Sequence, residues 1–314
     1  MIPLSWFEQA RERISPHINK TPLTYDASND LYLKWENHQI TGSFKARGAL
    51  NKVLSLQDWE LQRDLVTASA GNHGQGVALA AKLRQAHVIV FASEHALPVK
   101  LQAMRELGAE INLVSGGYGE AEQAGISYAR KTGATWVSPY NDGMIIAGQG
   151  TIAMEVLEGL PDPGATTWVV PAGGGGLISG IGCVLQSLQP RPRLVAVQSE
   201  ASPFLYEIYH RGTQAGVEEL PSLADGLAGP VEEGSLTVPI VKDCVTDFIL
   251  VSELEIRQAV KFAWEHYHER IEGSAAAALA AVTSGKISGK PAVVVLTGGN
   301  ITPDDHTQII SSET

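Results

Sequence analysis

Cysteine is scarce: Cys183 and Cys244 are the only two in 314 residues. Two thiols cannot build a disulfide framework or a four-ligand zinc site, which fits a reducing compartment. Basic residues are in deficit as well. With 23 Lys and Arg against 34 Asp and Glu, the formal net charge is −11, which argues against a nucleic-acid backbone or an anionic membrane surface as partner. No stretch approaches the ~18 apolar residues of a membrane span, and the first residues, MIPLSWFEQARERI, carry Glu8 and Arg11 where a signal peptide needs apolar side chains. A cytoplasmic enzyme with a small-molecule substrate is the expectation these absences leave.

Glycine is what the chain has in excess, with 32 residues where roughly 7% of a chain is usual. The length allows two compact domains or one large one. From about residue 65, β-rich runs (DLVTASA, HVIVFAS, EINLVS, TWVSPY) alternate with helical patterns, and after Gly143 the rhythm repeats with TTWVVPA, RLVAVQSE, DFILVS and AVVVLT as strands and 177–188, 253–268 and 273–283 as helices. Two α/β units follow, each a parallel sheet covered by helices. Pro98 and Gly108 bracket one helix with the usual start and stop residues. The segment from Gly212 to Val241, rich in proline and acidic residues, reads as a long loop.

The glycines cluster at Gly71/Gly74/Gly76, at Gly173–Gly176 and at Gly298/Gly299, each time after a predicted strand. Ligands bind at such strand ends in open α/β sheets. Gly173–Gly176 lie between an apolar strand and the apolar helix LISGIGCVLQSL, so backbone N–H groups and a helix N-terminus converge there as a phosphate cup. A dinucleotide G-x-G-x-x-G is not satisfied, because Ile178 or Ser179 stands where its third glycine belongs. Lys45, in GSFKARGA, sits in the first turn of a helix that Ser43 is expected to cap. The positive end of a helix lowers an amine's pKa toward the neutral, nucleophilic form, and Phe44 beside it offers an aromatic face. Ser69, Gly71, Asn72 and His73 form a strand-to-helix turn suited to a carboxylate, and Thr297 and Asn300 end an apolar strand. Taken singly, each has a plain structural explanation: a solvated lysine, a capping histidine, a polar strand end. Together they match one cofactor, pyridoxal phosphate.

GSFKARGA, SAGNHGQG, GGGG and TGGN in this order, with AGQGTIAMEVLE (147–158), ADGLAG (224–229) and IEGSAAA (271–277), resemble the fold type II pyridoxal-phosphate enzymes, in their threonine/serine dehydratase and serine racemase branch. The match runs from about Thr21 to Asn300. It implies an α/β fold like that of the tryptophan synthase β chain, with a discontinuous large cofactor-binding domain (1–55 and 143–314) and a small substrate-binding domain (60–142). By resemblance, Lys45 carries the cofactor as a Schiff base and Phe44 and Asn72 contact its ring and 3′ oxygen. Gly173, Gly174, Gly175, Gly176 and Leu177 hold the phosphate, Thr297 faces the pyridine nitrogen, and Ser69, Gly71, Asn72 and His73 bind the substrate carboxylate. A homodimer is expected on the same ground.

The implied reaction is α,β-elimination: the freed lysine removes the α-proton, a β-hydroxyl leaves, and a 2-oxo acid and ammonia result. A threonine at the ring nitrogen makes a weaker electron sink than an aspartate, which favours prompt elimination over transamination. Racemisation needs a second acid, which in the racemases resembles a serine where this chain has Ala70, so a dehydratase is expected ahead of an amino-acid racemase. A binding or sensing protein and a β-replacement synthase are further readings. Threonine, serine, 3-hydroxyaspartate, phenylserine or a hydroxyectoine-derived acid all suit the motifs as substrate, with Tyr140, Asn141 and Asp142 as expected wall residues. No metal site is expected, since Glu200 is followed six residues later by Tyr206 instead of the aspartate that often completes a cation site in this branch. Glu272 either caps a helix or approaches the cofactor pocket. His266 and His268 read as surface residues on opposite faces of one helix, and Cys183 as core. With 14 residues after Asn300, no C-terminal effector domain or isoleucine feedback is expected.

Overall fold

The computed structural model describes residues 2–289 and 291–311. Along the chain the elements run α1 (Leu4–Ile14), β1 (Leu23–Asp26), β2 (Leu31–Trp35), α2 (Lys45–Leu54), α3 (Asp58–Leu61), β3 (Leu65–Ala68), α4 (Asn72–Leu83), β4 (Val88–Ser93) and α5 (Pro98–Glu106). They continue with β5 (Glu110–Val114), α6 (Tyr118–Thr132), β6 (Thr135–Trp136), α7 (Gly143–Leu157), β7 (Thr167–Pro171), α8 (Gly176–Leu185), β8 (Arg193–Ser199) and α9 (Phe204–Arg211). The last are α10 (Thr237–Cys244), β9 (Asp247–Val251), α11 (Glu253–Phe262), α12 (Gly273–Thr283), β10 (Ala292–Leu296) and α13 (Pro303–Ser311).

The strands form two sheets. One has the order β5-β4-β3-β6, all parallel; the other has the order β1-β2-β10-β7-β8-β9, parallel except for the antiparallel edge pair β1–β2. The central strands β3, β7 and β10 are buried along their whole length, as parallel strands covered on both faces must be. Large apolar clusters lie on both sides of the six-stranded sheet: Phe7, Trp168, Ile178 and Val293 on one, Leu33, Val169, Ile256 and the alanines of α12 on the other.

Three expectations meet corrections. Residues 253–268 are not one α-helix: α11 ends at Phe262, a π turn follows over Ala263–Tyr267, and His268 closes it with φ +58°. His266 is exposed, its ring stacked on Phe262 at 3.9 Å and its Nδ1 3.2 Å from Phe262 O. The loop expected up to Val241 gives way to helix at Thr237, whose buried face (Ile240, Val241, Cys244) packs on α8. The strands β1 and β2 add to the eight read from the sequence; β2 hides a charge, Lys34, that interrupts its apolar pattern.

Helix α7 is the spine under the site. Its Gly148 lies against α2, where a Cβ would stand 2.6 Å from Gly48 Cα, and its Gly150 lies against α8, where a Cβ would stand 2.7 Å from Gly180 O. The helix that begins with Lys45 and the helix that follows the glycine loop therefore meet across one intermediary. Two residues after Lys45, Arg47 is completely buried and bonds both oxygens of Glu36 (2.8 Å each) and both of Glu155 (2.7 and 2.9 Å). Burial opposes its charge, and the Glu36 and Glu155 carboxylates more than offset this, so its pKa goes up. Removing one partner of such a buried set costs about 3–5 kcal/mol, so α2 is tied firmly to the large sheet.

Candidate functional site

The loops that leave β3, β7 and β10 and the start of α2 converge at the carboxyl ends of the strands. Lys45 is the first residue of α2; its Nζ donates to Pro139 O at 3.0 Å and lies 5.2 Å from the centroid of Phe44. Burial pulls this amine down to about 8, against the upward pull of Glu272. Desolvation thus does what the sequence reading assigned to the helix dipole. Ser43 does not cap α2: no side chain caps it, and the Ser43 Oγ is buried without a partner.

Ser69 follows β3, with its N–H on Phe91 O, and its Oγ accepts from Gly71 N at 3.0 Å, shaping the turn into α4. Asn72 and His73 are the first residues of α4, so their N–H groups are among those without intrahelical partners. The Asn72 amide is pinned at both ends: Nδ2 donates to Glu272 Oε1 and Oδ1 accepts from Asn300 Nδ2, each at 2.7 Å. His73 bonds Val137 O through Nε2 at 3.2 Å while Nδ1 is buried without a partner. Burial, and then the Lys45 charge, lower its pKa to about 3, so the ring is neutral.

Gly173–Gly176 form a loop pressed between neighbours. A Cβ on Gly174 would stand 2.5 Å from the Tyr140 ring, and one on Gly173 3.0 Å from Leu227 Cα. Gly175 has φ +85° and precedes α8, whose first bond is Ser179 N–H to Gly175 O. The N–H groups of the first turn, Leu177 included, stay free for an anion. Thr237 Oγ1 holds the loop by donating to Gly174 O at 2.7 Å. Thr297 is buried at the end of β10, and its carbonyl takes the N–H of Phe44 at 3.0 Å.

Glu272, left open by the sequence, is buried between Asn72 and Gly298; burial and then the Asp225 carboxylate push its pKa up to about 7. Lys100 carried no sequence signal; it is ion-paired at 2.9 Å with Asp225 of ADGLAG, to which only its neighbours in space give a role. Of the expected wall residues, Tyr140 packs under the glycine loop and Asn141 bonds Glu232 (2.7 Å). Asp142 points elsewhere: it caps α7 and pairs with Lys52. Glu200 is exposed and the Tyr206 ring packs on Phe248 and His210. Cys183 and Cys244 are buried.

The donor set fits pyridoxal phosphate. A partly neutralised amine stands by an aromatic ring, a four-glycine cradle admits no Cβ at Gly174 or Gly176, and Ser43 Oγ, His73 Nδ1 and Ser179 Oγ are buried polar atoms without partners at the ends of the same elements.

Residues 14–298 match the family model described as pyridoxal-phosphate dependent enzyme. The chain is 39% identical over 308 residues to an L-threonine ammonia-lyase of Thermotoga maritima, covering 96% of this chain and 76% of that one. It is 38% identical to a catabolic L-threonine dehydratase of Staphylococcus aureus, covering 96% and 90%. The structure of maize serine racemase superposes with a TM-score of 0.89 at 31% identity, covering 97% and 95%. The chain belongs to the pyridoxal-phosphate dependent enzymes of fold type II, in the threonine/serine dehydratase and serine racemase branch, with pyridoxal phosphate as its cofactor.

Proposed function

We propose that the protein is a dehydratase that converts a β-hydroxy L-amino acid, threonine or serine, into a 2-oxo acid and ammonia. The observation that carries this reading is the convergence of a buried, partly neutralised Lys45 with the Gly173–Gly176 loop and the N–H groups of the Ser69–His73 turn. When bound, pyridoxal phosphate supplies the electron sink that makes the α-proton of an amino acid removable. Gly173–Gly176 and Leu177 would hold its phosphate on backbone N–H groups, and Phe44, Asn72 and Thr297 would hold its ring. The turn at Ser69, Gly71, Asn72 and His73 takes the carboxylate and so directs the α-carbon. Lys45 Nζ, neutral for part of the time at pH 7 to 8, accepts the α-proton.

Ala70, exposed beside this turn, brings no proton donor, which supports elimination over inversion. The second reading, an amino-acid racemase, draws on the likeness to maize serine racemase. In this reading of the chain, residues 60–142 form the substrate-binding domain and residues 1–55 with 143–314 the cofactor-binding domain; the protein works in the cytoplasm as a homodimer.

The test is a panel of β-hydroxy amino acids, namely L-threonine, L-serine, 3-hydroxyaspartate and phenylserine, assayed for 2-oxo acid and for the D-enantiomer. Rapid 2-oxo acid release from L-threonine or L-serine, lost together with the cofactor's absorbance band in Lys45→Ala, is the expected result. D-serine formed from L-serine at a comparable rate would overturn it.

A further inference from the structure

A carboxylate-binding turn built from N–H groups alone has a difficulty in this chain, because its surroundings are acidic. Asp225 and Glu272 border it, and both act on Lys100 along with Asp305. An incoming substrate carboxylate would meet like charge there unless a cation offset it. Lys100, on α5, is that cation. Its stem lies directly over Gly71, where a Cβ would stand 3.1 Å from Lys100 Cδ and 3.8 Å from Nζ. A side chain at position 71 would displace the lysine, so the glycine does more than shape the turn. The ammonium is held by Asp225 Oδ2 at 2.9 Å; the Lys100 side chain is 16% exposed and the Asp225 side chain 59%. Asp225 is thus a partner that water can take over, whereas Lys100 is kept largely covered beside the turn. The neighbouring backbone is fixed as well, since Gly226 N–H donates to Ser274 Oγ at 2.9 Å.

We propose that Lys100 is a substrate ligand: its ammonium, kept beside the Ser69–His73 turn by the packing of its stem over Gly71, binds the α-carboxylate of the incoming amino acid in place of Asp225. This deepens the dehydratase reading and rests on it for the identity of the substrate. Asp225 then competes with the substrate for Lys100, and the pair does not serve merely as a strap between α5 and the 225–227 segment. A strap and a competitor differ in sign, which makes them separable.

The holoenzymes of wild type, Lys100→Met, Lys100→Arg and Asp225→Asn are compared for 2-oxo acid formation from L-threonine, with binding of L-threonine and of L-threoninamide followed by the change in cofactor absorbance. A hydrogen bond to a charged group corresponds to roughly tenfold or more in affinity. Lys100→Met is therefore expected to raise KM for L-threonine by about that factor with kcat little changed, the mark of an interaction equal in ground and transition states. Lys100→Arg is expected to recover most of the affinity, and L-threoninamide, which has no carboxylate, to bind Lys100→Met and wild type alike. Asp225→Asn is expected to leave KM unchanged or lower it. A rise in KM in both Lys100→Met and Asp225→Asn, or equal weakening of the amide and the acid, would show a strap and overturn the proposal. Should Lys100→Met fail to hold the cofactor, Lys100→Gln is the second charge-free variant, and the sign of the Asp225→Asn effect decides independently. If the wild type forms no 2-oxo acid from L-threonine, the dehydratase reading fails while the acid-against-amide titration still reports on Lys100.

Discussion

Glu272 shows how a single side chain acquires its properties from its surroundings. As the residue before α12 it could have been a plain cap, yet no cap bond forms, and it is buried with one oxygen on Asn72. Its pKa, raised from 4.5 to about 7 chiefly by burial, sets a sign for stability. A carboxyl that binds its proton more tightly when folded contributes stability that is complete below about pH 4.5 and lost as pH rises through about 7. In urea unfolding of the cofactor-free protein, Glu272→Gln, which cannot ionise, should therefore gain on wild type as pH rises from 4.5 to above 7, by up to about 3 kcal/mol. A gap independent of pH would show that Glu272 does not titrate in this range. Lys45 offers a related lesson. The role proposed for it rests on GSFKARGA, but its lowered pKa comes first from burial, a fact about neighbours in space.

Among elements, α7 decides the geometry of the site while contributing little to it directly. Gly148 admits α2 and Gly150 admits α8, and a Cβ on Gly180 would stand 2.4 Å from Ile146 O and 2.7 Å from Gly150 N. Backbone cannot yield as a side-chain tip can, so Gly180→Ala should lower stability by about 1–3 kcal/mol and weaken the cofactor by shifting the helix that begins at the glycine loop. Thermal unfolding and a cofactor titration read the two effects; an unchanged Tm would mean that α8 moves away freely. The element types of β3 to β10 were visible as apolar runs between glycine and proline signals. β1 and β2 were not, because β1 is short and half-exposed and β2 carries Lys34, which is tolerable only because Glu155 Oε2 (2.6 Å) and Thr21 O (2.8 Å) receive its ammonium from other parts of the chain. The helix at Thr237 escaped for a similar reason: its apolar face makes sense only once α8 is beside it.

At the scale of the whole molecule, the site belongs to no single sheet. Asn72 and the Ser69–His73 turn follow the four-stranded sheet, the glycine loop and Thr297 follow the six-stranded one, and Lys45 stands between. A ligand held by both should stabilise the molecule as a unit. Stripping pyridoxal phosphate is expected to lower Tm, and its return at a hundredfold excess over Kd to restore about 3 kcal/mol; calorimetry with and without cofactor checks this, and a Tm indifferent to cofactor would place the binding groups elsewhere. Among the described residues no helix is long and apolar enough to cross a membrane.

The linear chain by itself determined the α/β alternation, the three glycine-rich strand ends, the lysine and the family, because each is written in contiguous residues whose spacing is set by local backbone geometry. Only the tertiary structure decided what those residues feel. Asn72 held between Glu272 and Asn300, Arg47 neutralised by Glu36 and Glu155, and Lys100 packed over Gly71 and paired with Asp225 all join residues of separate elements. Desolvation and charge pairing act through space, and no local pattern records them.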